Sequence, residues 1–563
     1  MIRKWIFNID IRSLVLWVFV GCSLTLPAQD KTGNLFISPF DFPLFLSGNF
    51  GELRSNHFHG GLDFKTQGVV GKPIRCIADG YIGRVTVTPG GYGQAVYIMH
   101  DNGYTSVYGH LWKFKDEIRK VVEAYQFEHE TFAVDLNFEP EQFPLKQGEI
   151  FAWAGNEGYS FGPHLHMEIR RTDTGEYIDP MQFYLDRVKD TTPPRASRIV
   201  FYPQMGKGVI DGEMRKKRVD VENLNIPVVA WGKIALGIQA YDYMDGTHNN
   251  YGVHSVKLFV DSVEVFSSRM NGFFSNENRM VNAWADYEEH VLENRWVMRS
   301  HILPGNTWRM LQSEYDNGII TIDEERDYLC CYVLEDLHGN RKKYRFVIRG
   351  KEQTITPTRK NGKHYIRWNQ ANVIAEPGME LIIPKGMLYE DVDLNCRVIA
   401  DSLNISYDYE LHDKPVPLHG GCPLMIGIRR YPLSDMSKYY VVRKFGGKKA
   451  SVGGSFKDGF MHAKIRELGT YSVDLDTIAP RITPLNQPQW KTGNIQFKIR
   501  DAESGIKDYK VYVDGQFMVF KFSSKNAKLT CLHPKRIKKG VSHYVEVLIT
   551  DYCGNVAREE YSF

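Results

Sequence analysis

The sequence lacks an excess of charge of either sign. Its 70 lysine and arginine residues nearly balance 67 aspartate and glutamate residues, which leaves a formal net charge of +3. Nucleic-acid-binding domains usually concentrate basic residues on one surface. The composition therefore predicts no nucleic-acid partner, and charge alone indicates no other partner.

Cysteine is scarce, and no two cysteines form a C-x-x-C pair. A zinc site made of thiolates is therefore not expected. Cys396 and Cys422 could pair in an oxidising compartment, although a chain of 563 residues can fold on its hydrophobic cores without disulfides. The sequence alone does not give the connectivity.

Long apolar runs are also missing, and the one clear run, Leu14–Val20, lies near the N-terminus. Basic residues precede this run, and small residues up to Ala28 follow it, which predicts a signal peptide over residues 1–28. The run is shorter than the ~20 residues that span a bilayer, so no stable membrane span is expected. We expect export across the inner membrane to the periplasm or cell envelope. Lipid attachment at Cys22 is the weaker alternative.

Long apolar stripes of helical period are scarce, while aromatic residues make up 13% of the chain and turn dipeptides are frequent. These features favour short strands and predict a mainly β protein. A hairpin is predicted at Asn102-Gly103, between two β-rich runs. The one helix predicted is Lys113–Phe127, where apolar residues recur at helical spacing.

An internal repeat divides the chain. Asp190–Arg195 aligns with Asp476–Arg481, and each copy later ends in a D-x-x-G-N turn, at Asn340 and Asn555. This predicts two Ig-like β-sandwich modules, at 195–350 with a long insertion and at 477–563. The segment 354–475 is predicted to be a further β domain, and residues 30–189 to form a separate N-terminal domain.

Four aspartates of the repeat allow two interpretations. Asp242 and Asp336 in the first copy match Asp501 and Asp551 in the second. They could bind calcium, but stabilisation of turns by aspartate side chains is the favoured explanation. Aromatic residues such as Tyr509 and Tyr512 could similarly line a sugar site, although cross-strand packing is favoured.

Residues that could support chemistry lie before Asp190, in the strings HFHGGLD, YGHL and GPHLHMEI. On a strand, His164 and His166 would point to one face while the leucine and methionine beside them point to the core. Either histidine, with His59 and Asp63, would give the two-histidine, one-carboxylate set of a hydrolytic zinc site. The other histidine and His110 would then remain for proton transfer and charge stabilisation.

Each of these strings alone is commonly a surface or core feature, but three in one segment favour a site. Between His59 and Asp63, the pair Gly60-Gly61 is expected to adopt backbone conformations closed to other residues and so return Asp63 to the metal. His57 is interpreted as a wall of the site and His100 as solvent-exposed at the hairpin.

The segment from Asn49 to Pro180 resembles the lysostaphin/LytM-type zinc endopeptidases. The resemblance lies in FGELRSNHFHGGLDFKT, GGYGQAVYIMHDNGYTSVYGHL and GNEGYSFGPHLHMEIR, in that family's order. It implies an antiparallel β-sheet of the duplicated-hybrid-motif type with a metal groove. It also implies residue roles: the zinc ligands are His59, Asp63 and His166, and the catalytic histidines are His110 and His164.

The chain departs from the family pattern in two places. It carries an insertion over Lys113–Phe143, and Phe161 stands where a small hydroxyl residue is common. Neither change touches a predicted ligand, so both bear on substrate preference. For Arg54, packing or a salt bridge is expected rather than catalysis.

The resemblance implies a secreted zinc-dependent endopeptidase that hydrolyses peptide cross-links of bacterial peptidoglycan. Two alternatives stay open: a catalytically silent activator of another wall hydrolase, and a cell-wall-binding protein or adhesin. All five site residues are present, which argues against the silent activator. The C-terminal modules are expected to act as spacers or to dock on the wall or on a partner protein.

Overall fold

The structure, a computed structural model, describes residues 35–358, 362–400 and 404–563. Strands account for 47% of it and helices for 10%, which confirms the predicted mainly β fold. The predicted signal peptide over 1–28 and Cys22 lie outside the described residues. Within the described ranges, no helix has both the length and the apolar character to cross a bilayer.

The N-terminal region is built from short strands. They are β1 (Leu46–Gly48), β2 (Leu53–Arg54), β3 (His57–Phe58), β4 (Leu62–Lys65), β5 (Pro73–Arg75), β6 (Gly80–Val87), β7 (Gln94–His100), β8 (Tyr104–Gly109), β9 (Leu111–Phe114), β10 (Val134–Asn137), β11 (Pro144–Leu145), β12 (Ile150–Ala154), β13 (His164–Arg171) and β14 (Tyr177–Ile178).

A large antiparallel sheet forms the body of this region, with its strands in the order β1-β4-β13-β8-β7-β6-β10. A smaller sheet, β5-β12-β9, lies beside it. The strands β7 and β8 flank Asn102-Gly103, and Gly103 has a φ of 83°, so the predicted hairpin is confirmed. Leu165 and Met167 are fully buried, as their alternation with two histidines predicts.

The predicted helix is displaced from its expected start. Helix α1 spans Asp116–Glu128, whereas Leu111–Phe114 is a strand that pairs with β12. Ile118 and Val122 are buried, but Val121 is exposed. The helical spacing of the apolar residues was therefore informative only after Asp116, because the residues before it pair with a strand some 40 positions further along the chain.

The segment Asp190–Pro194, which we call the linker, follows the N-terminal region. The residues after it form the first repeat module. Its strands are β15 (Arg195–Ile210), β16 (Lys217–Asp220), β17 (Val228–Tyr241), β18 (Ser255–Val260), β19 (Val263–Arg269), β20 (Gly272–Phe273), β21 (Met298–Arg299), β22 (Leu311–Gln312), β23 (Ile320–Ile322), β24 (Asp327–Glu335) and β25 (Arg341–Gly350). Two helices lie in the insertion of this module, between β20 and β21: α2 (Val281–Trp284) and α3 (Tyr287–Glu293). Strand pairing runs continuously in the order β16-β15-β17-β25-β24-β18-β19-β22.

The middle region contains two five-stranded sheets, β27-β28-β32-β36-β35 and β30-β31-β37-β33-β34. Its strands are β26 (His364–Ile366), β27 (Asn372–Glu376), β28 (Met379–Ile383), β29 (Val392–Leu394), β30 (Arg397–Ile399), β31 (Asp408–Glu410), β32 (Val416–Gly427), β33 (Tyr439–Phe445), β34 (Lys448–Gly453), β35 (Ser455–Lys457), β36 (Phe460–Leu468) and β37 (Thr470–Leu475). Cys396 and Cys422 are buried free thiols here, so they do not form a disulfide in the structure.

The C-terminal region is a sandwich of two four-stranded sheets, β38-β39-β43-β42 and β41-β40-β44-β45. Its strands are β38 (Arg481–Leu485), β39 (Gln496–Arg500), β40 (Ile506–Val513), β41 (Gln516–Phe517), β42 (Phe520–Ser523), β43 (Lys528–Cys531), β44 (Tyr544–Asp551) and β45 (Val556–Ser562).

This sandwich docks on the N-terminal region. Lys521 Nζ lies 2.8 Å from Glu157 Oε1, and the Tyr512 hydroxyl donates to Glu130 Oε2 over 2.8 Å. Tyr509 packs on Phe522, with ring centroids 6.1 Å apart. The two tyrosines therefore pack within the protein, as favoured over a sugar site.

Candidate metal centre

The strand register brings the predicted site residues to one end of the large sheet. His166 on β13 pairs with Asp63 on β4, and the next strand places Gly109, just before His110, opposite His166. His164 and His166 lie two residues apart on β13, so their side chains share a face. His59 follows the short strand β3 directly.

Three of these side chains converge on one point. Asp63 Oδ1 lies 3.0 Å from His59 Nε2 and 2.9 Å from His166 Nδ1, and the two nitrogens are 3.0 Å apart. Ligands about 2.0–2.1 Å from a tetrahedral zinc ion would be about 3.3 Å apart, close to this spacing. All three residues are buried, and they form a group able to hold a metal ion.

The outer hydrogen bonds set the imidazole tautomers. His59 Nδ1 lies 2.6 Å from the carbonyl oxygen of Asn49, and His166 Nε2 lies 3.0 Å from Glu168 Oε1. A neutral imidazole that donates from one nitrogen offers a lone pair at the other. Two imidazole lone pairs and a carboxylate oxygen therefore face one another, an arrangement that a shared cation or proton stabilises. The residues present fit a zinc ion.

Glu168 belongs to a buried network behind His166. It accepts hydrogen bonds from Tyr92 Oη and Arg170 Nε, the latter over 2.8 Å. Burial opposes its charge, but Arg170 and His166 outweigh burial and lower the pKa of Glu168 to about 2. A carboxylate behind a ligating histidine fixes the ring and makes it a stronger ligand.

In the metal-free chain a proton can take the place of the cation. Burial lowers the pKa of His166, yet the hydrogen bonds to Asp63 and Glu168 dominate and raise it to about 9. The histidines also hold the pKa of Asp63 well below its usual range, although burial opposes this. Metal binding at neutral pH is therefore coupled to proton release.

Both oxygens of the Asp63 carboxylate have defined surroundings. Oδ2 lies 3.6 Å from Arg54 Nη2, and Arg54 also pairs with Glu52 over 3.1 Å. A Cβ at Gly48 would come within 2.7 Å of Oδ2, so only glycine leaves room for the carboxylate there. Arg54 thus forms the salt bridges that were expected of it.

His110 and His164 lie side by side next to this group, with ring centroids 4.8 Å apart. His110 Nδ1 lies 2.7 Å from the carbonyl oxygen of Glu157, and His164 Nδ1 lies 2.8 Å from that of Gly162. Each ring therefore keeps the lone pair of Nε2 free. His164 Nε2 is 3.5 Å from Asp63 Oδ1.

His110 has a left-handed backbone conformation and an uncharged imidazole ring. Its φ of 59° lies in the left-handed region, which costs energy for a residue other than glycine and often marks a functional position. Burial, followed by the neighbouring His166 and His164, lowers the pKa of His110 to about 3. Burial also lowers the pKa of His164. Both rings are neutral near pH 7.

The glycine pair acts differently from the expectation. Neither Gly60 nor Gly61 has a positive φ, so unusual backbone conformation is not their role. A Cβ at Gly61 would lie 2.3 Å from the carbonyl oxygen of Met167. The glycines instead allow the loop between His59 and Asp63 to pack directly against β13.

Two further histidine predictions meet different outcomes. His57 is exposed, its Nδ1 lies 3.1 Å from the carbonyl oxygen of Ser55, and it does not belong to the group of residues that could hold a metal ion. The prediction of an exposed His100 is wrong. It is buried, and its Nε2 lies 2.6 Å from Ser106 Oγ, because it shares the inward face of β7 with Val96 and Ile98.

Sequence reasoning missed the residues that orient the ligands: Asn49, Tyr92, Glu168 and Arg170. Glu168 could have been found, because it lies two residues after His166 on the same strand and so shares its face. Asn49 acts through its carbonyl oxygen, which carries no sequence signal.

Comparison with known families gives two matches. Residues 57–127, which include His59, Asp63 and His110, match the model of peptidase family M23. After this match we call the N-terminal region, residues 35–189, the M23 domain, and the group of His59, Asp63 and His166 the M23 centre. A second model, described as a Zu5-like domain, matches residues 363–476.

Two curated relatives are each similar to about a quarter of this chain. DD-carboxypeptidase/endopeptidase Mpg of Neisseria meningitidis serogroup B is 30% identical over 148 residues, 26% of this chain and 27% of the relative. Glycyl-glycine endopeptidase ALE-1 of Staphylococcus capitis is 30% identical over 146 residues, 25% of this chain and 31% of the relative. The chain thus spans less than a third of the length of these relatives.

One solved structure similar to the M23 domain is the catalytic domain of the antimicrobial peptidase lysostaphin from Staphylococcus simulans. It is 24% identical, and the match covers 24% of this chain and 87% of that chain with a TM-score of 0.18.

Proposed function

We propose that this protein is a zinc-dependent endopeptidase that hydrolyses peptide cross-links of bacterial peptidoglycan. The observation that carries the proposal is the convergence of His59 Nε2, Asp63 Oδ1 and His166 Nδ1 within about 3 Å of one another, beside two neutral histidines. The M23 family match and the endopeptidase names of the relatives support the same reaction class.

The chemistry divides between the metal and the histidines. A zinc ion held by His59, Asp63 and His166 would supply a Lewis acid for the scissile carbonyl and lower the pKa of bound water toward about 7. His110 and His164 present free Nε2 lone pairs next to this point, because their Nδ1 atoms are held by backbone carbonyl groups.

We assign proton transfer to these two histidines. A neutral imidazole accepts a proton from the attacking water, and the imidazolium can then donate to the leaving amine or to the developing oxyanion. Burial keeps both rings neutral before the reaction, since it lowers the pKa of His110 and of His164. The carbonyl groups of Glu157 and Gly162 keep the rings oriented throughout.

Two exposed aromatic residues border the site on the segment that leads to β13. Tyr159 is 70% exposed and Phe161 is fully exposed, although their neighbour Ser160 is buried and bonded to Asn156. Exposed aromatic rings beside a catalytic group suit contact with an extended peptide. We assign them to substrate binding.

The proposed place of action is the cell envelope, reached through the signal peptide predicted over residues 1–28. The modules after residue 190 would act as spacers or docking surfaces there. Peptidoglycan lies outside the inner membrane, so export is a requirement of the proposed function.

A digest of purified peptidoglycan sacculi tests the proposal. The zinc-loaded full chain is expected to release peptide fragments whose masses identify the bond cut, while a His166→Ala variant releases none. If the zinc-loaded protein releases no peptides, the proposed endopeptidase activity is refuted. If a second wall hydrolase then released more peptide with this protein than it does alone, the protein would be an activator. If the protein only stayed bound to sacculi, it would be an adhesin.

A further inference from the structure

A small cavity lined by buried side chains lies where the M23 domain meets the first repeat module. Its volume is about 20 Å³, and a space of about 10–15 Å³ already holds one water-sized particle. The titratable side chains that line it are Asp179, Asp190, Asp242, Asp336, His254 and His338. Four carboxylates therefore surround a space for a single ion.

Polar atoms in this cavity lack partners. Asp190 Oδ2 and Asp242 Oδ1 are buried without a hydrogen bond, and so is His254 Nε2. Asp190 is only 7% exposed and Asp242 only 2%. Buried polar groups are nearly always paired, so unpaired oxygen atoms of this kind indicate a missing partner.

No lysine or arginine side chain that the structure describes neutralises the carboxyl groups of the cluster. Among the ion pairs of the described ranges, none joins Asp190, Asp242 or Asp336 to a lysine or an arginine. Burial, and then the neighbouring Asp190 and Asp336, raise the pKa of Asp242 to about 9. Buried carboxylates are stable only when they are paired, protonated or bound to a metal.

His338 adds a nitrogen ligand. Its Nε2 lies 2.8 Å from the carbonyl oxygen of Val188 and must therefore donate, which leaves a lone pair on Nδ1. Nδ1 lies 3.9 Å from Asp190 Oδ2. Asp190, Asp336 and His338 offer ligand atoms that all lie within 4.8 Å of one another.

We propose that this cavity binds a divalent cation, such as Ca²⁺ or Mn²⁺, through the carboxylates of Asp190 and Asp336, with Asp242 completing its charge balance. His338 Nδ1 is an additional ligand for Mn²⁺, which accepts nitrogen as well as oxygen, and stays outside the coordination of Ca²⁺. Carboxylates suit these ions better than softer metals. The cation joins the linker at Asp190 to the module and to the M23 domain.

The site lies next to the segment that orients the zinc ligand His59. Asn49 lines the cavity, its carbonyl oxygen lies 2.6 Å from His59 Nδ1, and its side chain pairs with the backbone of Gly252. The cation therefore secures the contact between the first module and the wall of the metal centre.

The second copy of the repeat supplies a matched control. Asp476, Asp501 and Asp551 correspond to Asp190, Asp242 and Asp336, and they also form a close group. There, Asp476 Oδ2 accepts from Ser504 N over 3.0 Å and Asp501 Oδ1 from Gly505 N over 2.6 Å. Cys553 replaces His338. Backbone donors thus take the place of a cation.

One structural role is common to both copies. Asp336 accepts from the backbone and side-chain nitrogens of Asn340 over 2.9 and 2.8 Å, and Asp551 does the same with Asn555 over 2.8 and 2.7 Å. The predicted turn stabilisation is confirmed for these two residues and for Asp501, which accepts from the backbone of Glu503 and Gly505. It does not account for Asp190 Oδ2 and Asp242 Oδ1, which have no partner although Asp190 Oδ1 accepts from Thr192 N.

The test uses the zinc-loaded full chain, so that the M23 centre is already occupied. Ca²⁺, and Mn²⁺ in a separate experiment, are titrated by calorimetry and by thermal unfolding. We expect one ion to bind per chain and to raise the Tm. Asp242→Asn should weaken binding more than about tenfold, because affinity at such sites depends on ligand charge. Asp501→Asn should bind the ion like the wild type.

A reversal of stability distinguishes the site from a merely structural cluster. Without the ion, Asp242→Asn should have a higher Tm than the wild type near neutral pH, because burial raises the pKa of Asp242 to about 9, so that folding must protonate this carboxyl group at a cost in stability that asparagine avoids. With saturating ion, the wild type should have the higher Tm. If Asp242→Asn does not fold, Asp190→Asn is read in the same way. Absence of binding by the wild type, equal binding by these variants, or loss of binding in Asp501→Asn would overturn the proposal.

Discussion

The two clusters on either side of Asn49 differ in how they use histidine and carboxylate. In the M23 centre, two histidines and one aspartate converge, and the outer nitrogen of each histidine has an acceptor. At the junction with the first module, aspartates predominate, and two of their oxygens have no partner. The first cluster carries little charge and is prepared for a metal that favours nitrogen ligands. The second gathers carboxyl groups whose ionisation burial opposes, so that it takes up protons unless a cation binds.

This difference teaches that a metal site is recognised by what surrounds its ligands. The M23 centre has two further histidines beside it that can transfer protons, whereas the junction cavity has no such pair of adjacent histidine rings. A centre with neutral histidines beside it suits catalysis, and an acidic cluster between two domains suits a structural ion. The following changes should separate the two.

The largest effect is expected from His166→Ala or His59→Ala. Each removes a ligand from the M23 centre, so zinc retention and hydrolysis should both be lost, as metal analysis and peptide release would measure. Binding of Ca²⁺ at the junction should persist. Asp242→Asn is the reciprocal control, with zinc content kept. Zinc retained at full stoichiometry in both histidine variants would contradict the ligand assignment.

His110→Ala should reduce turnover by about 10²–10⁴-fold, the usual contribution of a proton-transferring group, and should leave zinc bound. The measurement is kcat alongside zinc content. His129→Ala, an exposed histidine at the end of α1, is the matched control and should behave like the wild type. Full activity in His110→Ala would rule out its assigned role.

Glu168→Gln should weaken zinc binding by about 10–100-fold, because it removes the carboxylate that orients His166. It should also reduce proton release on zinc binding near pH 7. Glu168 helps to raise the pKa of His166 to about 9, so without that charge less of the metal-free histidine is protonated. Calorimetry in buffers of different ionisation enthalpy measures both quantities. Unchanged affinity would show that the ring is oriented without Glu168.

The smallest effect is expected from the ion pair that joins the M23 domain to the C-terminal sandwich. Lys521→Ala breaks a partly exposed pair with Glu157, and such pairs contribute less than about 1 kcal/mol to the free energy of unfolding. Turnover should stay unchanged, because the carbonyl group of Glu157, rather than its carboxylate, holds His110. A large loss of turnover would mean that the sandwich orients His110.

Local patterns predicted much of the fold and of the site. Alternation and turn dipeptides predicted the mainly β fold and the hairpin at Asn102-Gly103, and the resemblance named residues that the structure places together. His100 was misjudged, although the same alternation places it on the inward face of β7. The start of α1 depended on the pairing of β9 with the distant β12, which no local pattern reveals.

The junction cavity was the least predictable feature. The repeat showed that Asp242 and Asp336 match Asp501 and Asp551. It could not show that, among these aspartates and the linker aspartates, only those of the first copy have buried carboxylate oxygens without a hydrogen bond. That difference depends on backbone donors such as Gly505 N, which the second copy supplies to its own aspartate. Equivalent residues in a repeat therefore need not have equivalent partners.

The most direct test of the proposed peptidase is to measure bound zinc and peptide release on the same preparation of the full chain. The account predicts one zinc ion at the M23 centre and release of peptide fragments from purified sacculi, with both lost together in His166→Ala. Zinc-loaded protein that leaves every cross-link intact would contradict it.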